Sequence, residues 1–256
     1  MTGYHTLVYE TDGPVGMIVL NRPHRLNAVN EEMIEELEDF LRKRQDDLAT
    51  RVLILSGAGE KGFCAGLDNK ETLPKYLEMG FETFYCSQHR ISRLITAMRR
   101  IPQPIVAAVH GAAAGLGFSL AMGADLRVAA VDARFIASYI NIGTGGADMA
   151  ASYLLPRLIG SGRAYEFLLT GNAMDAHTAM AVGLVSRVVE RAALRETALD
   201  LAKTMASKNP LGLRLTKEAI NVNIDAPGLE AAQNLEDRNQ AMCFGINKYE
   251  GKILNR

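Results

Sequence analysis

Only three of the 256 residues are cysteine (Cys64, Cys86 and Cys243), an odd number without CxxC spacing. That pattern argues against a disulfide framework and a zinc site, and it favours a reducing compartment. Neither sign of charge is in excess: 28 Lys and Arg stand against 29 Asp and Glu. So even a balance exerts no general pull toward nucleic acid or an anionic membrane, although a local basic patch stays open. Long apolar runs are missing too. None reaches the roughly 18 uncharged residues of a membrane span. The nearest approach, IPQPIVAAVHGAAAGLGFSLAMGADL, is broken by prolines and glycines. The opening MTGYHTLVYETDG has no apolar h-region, so no secretory leader is expected. The five histidines show neither HxxxH nor HxH spacing, and no metal constellation is expected. Fixed-period repeats and low-complexity segments are also lacking. These absences predict a cytoplasmic protein with neither nucleic acid nor membrane as partner.

What is present reads as an ordinary globular chain, 48% apolar and 22% charged, long enough to bury a substantial core. VGMIVLN (15–21), RVLILSG (51–57), PIVAAVHG (104–111) and DLRVAAVD (125–132) are short apolar runs ending in turn residues, the pattern of buried strands. Between the first two, Asn30-Glu31-Glu32 opens a helix. Its apolar residues at 33, 34, 37, 40 and 41 follow helical spacing, with acids early and bases late. From about residue 160 the pattern turns helical through GRAYEFLLTG, DAHTAMAVGLV and the segments 191–208, 210–222 and 228–243. An α/β core with an α-helical C-terminal region is predicted.

The glycine-rich turn AVHGAAAGLGFSLAM (108–122) admits three interpretations. As a dinucleotide loop, it has a strand before it, a helix after it and Asp132 at the end of the next strand. Its position after a hundred residues of α/β structure is wrong for that, no further parallel sheet is evident beyond Asp132, and no tyrosine has a lysine four positions on. As a serine nucleophile elbow it would use Ser119 with Asp148 and His177. An elbow needs its serine directly after a strand, and Ser119 lies well beyond Val109, with Ala121 where the final glycine belongs.

The third interpretation takes four segments together: NRPHRLNAVN (21–30), FCAGLD (63–68), QPIVAAVHGAAAGLGFSLAMGADLRVAAVDARF (103–135) and SYLLPRLIGSGRAYEFLLTG (152–171). In this order they resemble the crotonase superfamily, the enoyl-CoA hydratase/isomerase enzymes, and AHTAMAVGLVSRVV (176–189) continues the likeness. The resemblance implies a spiral of ββα units over residues 1–195 that binds an acyl-CoA thioester. Residues 196–256 would then be a helical region for oligomerisation and site closure. It further implies a homotrimer or a dimer of trimers, and no cofactor, since coenzyme A is part of the substrate. Two backbone N–H groups would polarise the thioester carbonyl, those of Leu67 in AGLD and Leu116 between Gly115 and Gly117. Such an oxyanion hole stabilises developing negative charge in a dry site. The small residues Ala65, Gly66 and Gly115 let the backbone approach the substrate closely. Arg25, Leu26 and Ala28 match the loop lining the coenzyme A path, with a solvated surface cation as the alternative for Arg25. Asp68 is expected to be a structural hydrogen-bonding residue.

Two departures bear on the reaction. The hydratases of this family carry two glutamates, one three residues past the glycine-turn donor and one four residues before the later loop glycine, Gly143. Those positions hold Ser119 and Tyr139. Neither is a carboxylate, and a serine hydroxyl is a poor base without help. Hydration by a glutamate pair is therefore not expected. One carboxylate remains in the loop, Asp148, near where some relatives place a catalytic aspartate. It would shuttle a proton in double-bond isomerisation, or it would cap the helix that follows. An atypical hydratase, a thioester hydrolase and a non-catalytic acyl-CoA binder are the alternatives. His89 and Tyr85 are candidates for the acyl pocket. Tyr139 either donates into the site or is core.

Overall fold

The computed structural model describes residues 3–249. In chain order, β1 (Leu7–Asp12) and β2 (Val15–Leu20) lead into α1 (Glu31–Arg44), β3 (Val52–Gly57), α2 (Leu73–Leu77) and α3 (Phe81–Arg100). Next come β4 (Ile105–Val109), β5 (Ala112–Ala114), α4 (Leu116–Gly123), β6 (Leu126–Ala130) and β7 (Arg134–Ile136). The remaining elements are α5 (Ala151–Ile159), α6 (Ser161–Thr170), β8 (Met174–Asp175), α7 (Ala176–Ala181) and β9 (Arg187–Val189), followed by α8 (Leu194–Ala206), α9 (Pro210–Asn223) and α10 (Leu229–Tyr249).

The four strands foreseen in the sequence form the centre of a six-stranded sheet ordered β1-β2-β3-β4-β6-β9, parallel except for the β1–β2 hairpin. Their near-continuous apolar sequences follow from burial on both faces. In β4, Ile105, Ala107 and Val109 join the main core with α1, α3 and α4, while Val106 and Ala108 point to the other side. A second, smaller sheet runs β5-β7-β8. Single bridges Val29–Leu67 and Cys64–Ala113 extend the same inner layer. Each turn of the chain thus passes from a large-sheet strand to a short inner strand or bridge and then to a helix, the ββα spiral that the resemblance implies.

Helix α1 begins where the sequence signals it. The Asn30 side chain accepts the Met33 N–H at 3.1 Å, Glu31 and Glu32 fill the first turn, and Met33, Ile34, Leu37, Phe40 and Leu41 are its buried residues. Five strands escaped the sequence patterns, among them the three-residue β5 and β7 of the inner sheet. β1 buries only Leu7, and β8 and β9 have two and three residues, too short to show alternation. β9 pairs in parallel with β6, so the parallel sheet does continue past Asp132. The helix in DAHTAMAVGLV stops at Ala181, and Gly183 takes a left-handed turn with φ +86°.

The division at 195/196 falls inside α8, whose Ala198, Ala202 and Ala206 pack under the large sheet against Val52, Ile54, Val106 and Val128. Beyond it, α9 buries only Lys217. That ammonium donates to the carbonyls of Met98 and Gln103 at 3.0 and 2.8 Å and pairs with Asp125 at 2.9 Å, tying α9 to the end of α3. Residues 250–256 of the C-terminal region lie outside the described residues. Among the described residues no helix is long and apolar enough to cross a membrane.

Candidate active site

The loop NRPHRLNA shapes one wall of the site without entering it. Leu26 and Asn27 both adopt left-handed backbone, φ 55° and 54°, which turns the chain back on itself. The Asn27 amide then donates to the carbonyls of Ala58, Gly62 and Phe63, and the Leu26 carbonyl accepts from Ala65 N. Cys64 is buried behind this loop; its thiol donates to the Asn27 carbonyl, and burial pushes it up to about 12, so it is no nucleophile. Asp68 accepts from Arg22 at 2.9 Å, from Arg25 at 2.6 and 3.2 Å, and from the backbone of Lys70 and Glu71 at 3.0 Å. Burial raises its carboxyl, but these donors outweigh burial and hold it well below the usual carboxylate range.

Clamped in this way, the AGLD strand presents the Leu67 N–H. Its neighbours are committed to Val29, which donates to the Gly66 carbonyl at 2.7 Å and accepts from Asp68 N at 2.8 Å. Leu67 N has no acceptor among the described residues. Leu116 is the first residue of α4, so its N–H lacks a partner within the helix. Two glycines permit the AGLD segment to approach the start of α4. Gly66, at φ +100°, would bring a Cβ within 2.8 Å of the Ala114 carbonyl and 3.4 Å of Leu116 N; a Cβ on Gly117 would lie 2.2 Å from the Cys64 carbonyl. The positive end of the α4 dipole adds to the pull of the Leu116 N–H on an anion.

Leu67 and Leu116 both line a cavity of about 450 Å³, together with Ala65, Gly66, Gly115, Tyr139 and Asp148. Asp148 is the sole carboxylate among the described residues that line it. One oxygen accepts from the Gln88 amide at 2.8 Å and from Met149 N at 2.7 Å; the other has no hydrogen-bond partner among the described residues. Met149 and Ala150 hold left-handed φ values of 47° and 66°, an uncommon conformation for side-chain-bearing residues that concentrates at functional sites. The capping alternative for Asp148 is corrected: Ala150 occupies the N-cap of α5, which has no side-chain cap. The Tyr139 hydroxyl donates to the Gly115 carbonyl at 2.9 Å and contacts the Ser119 hydroxyl. Burial foremost, and then the nearby Asp148 charge, raise this phenol, so it stays neutral.

Several expected contacts fall elsewhere. His89 is corrected: it is exposed on α3, its ring stacked on the exposed Tyr85 at 6.3 Å, and neither lines the cavity. The cavity face of α3 is instead Phe84, Gln88 and Ile91, one helical stripe spaced four and three apart. That stripe, with Tyr76 and Ile142, was missed. Helical periodicity would have revealed it, whereas a search by chemically reactive residue type selects His89. Ser119 is fully buried and does not line the cavity, so it is corrected as a direct substrate contact. His177 is exposed at the start of α7, which leaves no Ser-His-Asp arrangement. Arg25, Leu26, Ala28 and Asp68 are also outside the lining: Arg25 is paired rather than solvated, Leu26 is exposed, and Ala28 and Asp68 are buried. Of possible metal ligands, His5, Glu32 and Glu36 come together, a grouping hidden from spacing rules. None lines the cavity, and Glu36 is occupied by the backbone N–H groups of His5 and Thr6.

The sequence pattern of the enoyl-CoA hydratase/isomerase family matches residues 10–252. The chain is 38% identical over 233 residues to "Probable enoyl-CoA hydratase echA12" of Mycobacterium leprae (strain TN), covering 90% of this chain and 78% of that protein. It is also 38% identical over 210 residues to the 1,2-epoxyphenylacetyl-CoA isomerase of Escherichia coli (strain K12), covering 80% and 77%. A crystal structure of enoyl-CoA hydratase from Bacillus anthracis superposes with a TM-score of 0.87 at 32% identity, over 97% of each chain.

Proposed function

This chain belongs to the enoyl-CoA hydratase/isomerase family, and from that premise we propose that it shifts a carbon–carbon double bond within an enoyl-CoA, with Asp148 moving the proton. The observation that carries the proposal is the placement of Asp148, the one carboxylate among the described cavity-lining residues, in the cavity that Leu67 and Leu116 also line. The thioester oxygen sits between those two donors. Asp148 takes a proton from the carbon that is to become unsaturated, and the electron pair delocalises onto the thioester oxygen as a dienolate. The same carboxyl then returns the proton two carbons away, the double bond moves, and Asp148 regains its starting charge. One carboxylate suffices for such a relocation, and oxyanion donors stabilise the intermediate.

Gln88 and Met149 N hold one oxygen of the carboxylate and leave the other for the proton. Ser119 and Tyr139, at the positions where the resemblance places the hydratase glutamates, supply no carboxylate to activate water. The shift is redox-neutral, so the proposal requires no cofactor beyond the coenzyme A of the substrate. A reducing, cytoplasmic setting suits the free Cys64, Cys86 and Cys243.

The test is turnover of enoyl-, dienoyl- and saturated acyl-CoA thioesters by wild type and Asp148→Asn, with binding measured alongside. Wild type is expected to isomerise an unsaturated substrate. The Asn variant should bind it but lose about 10²–10⁴-fold in kcat, the usual worth of a general acid–base group. Full activity in Asp148→Asn refutes the assignment. Tight binding without conversion of any thioester establishes a binding protein instead, and water addition alone establishes a hydratase.

A further inference from the structure

We infer that Ser119 and Tyr139 form a hydroxyl relay that strengthens the Leu116 N–H as a donor to the thioester oxygen, acting through the Gly115–Leu116 peptide group. The inference rests on the proposed role of Leu116 in holding that oxygen, and it assigns a task to two side chains that the proton shift itself does not use.

The Gly115 carbonyl, which also accepts the Ser119 N–H at 3.0 Å, sets the order of the hydroxyl protons. The Gly115 carbonyl can only accept, and the Tyr139 hydroxyl donates to it at 2.9 Å. A phenol has one proton, which is thereby committed. Ser119 Oγ, in contact with the same phenol oxygen, must then be the donor in that pair. The order is therefore Ser119 O–H to Tyr139 O–H to the Gly115 carbonyl, and the Leu116 N–H belongs to the same resonant peptide unit as that carbonyl. Donation to an amide oxygen draws electron density from the nitrogen, leaving its N–H more positive. Consecutive hydrogen bonds polarise one another in a low-dielectric interior.

The surroundings suit a relay. Ser119 is fully buried and Tyr139 nearly so, which removes competing water. Ser119 is the one residue of α4 (LGFSLAMG) with a polar side chain, in a helix buried along its whole length. Burial keeps the phenol protonated and thus available to donate. At the two positions where family hydratases resemble one another in carrying carboxylates, this chain has a neutral pair directed at the oxyanion donor. Ser119 and Tyr139 act as positioning residues here, because their influence passes through a peptide group.

The test reads the bond that the relay would weaken. An enoyl-CoA labelled with carbon-13 at the thioester carbonyl is bound to the intact protein, and its carbonyl stretch is measured by isotope-edited infrared difference spectroscopy. Wild type is expected to lower that frequency relative to free ligand. Tyr139→Phe, which deletes only the hydroxyl, should still bind but lose roughly 10–30% of the downshift. Its kcat should fall roughly two- to eightfold with little change in KM. Ser119→Ala, which keeps the phenol, should lose a smaller part in the same direction. A full downshift in ligand-bound Tyr139→Phe overturns the relay and leaves the Leu116 donor standing. If that variant does not fold, a full downshift in Ser119→Ala overturns the relay equally. No downshift in wild type overturns the relay together with the oxyanion assignment it rests on.

Discussion

Asp68 shows how a residue outside the cavity governs the site. Its two oxygens take hydrogen bonds from Arg22, Arg25 and two backbone N–H groups, and Leu67, the proposed oxyanion donor, is its immediate neighbour. Burial pushes its carboxyl up, and the arginine and backbone bonds more than reverse that push, leaving the folded state with a depressed value. A carboxyl depressed on folding stabilises the fold above its unfolded value near 4, and that stabilisation drains away as pH falls toward the folded value. Asp68→Asn should therefore flatten the dependence of stability on pH below about pH 4 in chemical unfolding. At neutral pH it should cost about 2 kcal/mol, because Arg22 and Arg25 lose a charged acceptor while Arg22 keeps Glu71 and the Ala28 carbonyl. The sequence alone identified Asp68 as a bonding residue, yet it paired neither arginine with it. Those partners lie 46 and 43 positions away, beyond the reach of local patterns.

Helix α4 carries a donor at one end and needs an anchor at the other. Leu116 opens it, and the buried Arg127 guanidinium closes it by donating to the carbonyls of Ala121, Met122 and Ala124, with a further bond to Leu184. Burial draws that guanidinium down to about 10, which still leaves it cationic at neutral pH against the negative end of the helix. Arg127→Leu keeps the bulk but leaves these carbonyls unsatisfied. Thermal unfolding should show a loss of about 3 kcal/mol. At this scale the sequence speaks through periodicity and caps, which is why α1 was legible residue by residue. It is silent where an element is too short for a period, as in β8 and β9.

For the molecule as a whole, the order of four sequence segments conveyed the spiral, and the structure follows it. The loop bearing Asp148 was less legible because it follows neither a helical nor a strand period, and only the fold decides which of its side chains line the cavity. The assembly of subunits is a matter for this scale as well. Helices α9 and α10 leave Ile220, Leu229 and Phe244 each at least 60% exposed, more apolar surface than a helical pair normally leaves to water. We propose a trimer or a pair of trimers built through them. Sedimentation should give three or six chain masses, and Phe244→Glu should shift the population toward single chains; a wild-type monomer at micromolar concentration refutes it. One last consequence comes from the close approach of Gly117 to the Cys64 carbonyl. Under the proposed function the two groups that hold the thioester belong to the main chain, so replacing the Leu67 or Leu116 side chain does not delete them. A lineage can exchange its acids and bases freely around such a clamp, and new reactions become accessible without rebuilding the means of gripping the substrate.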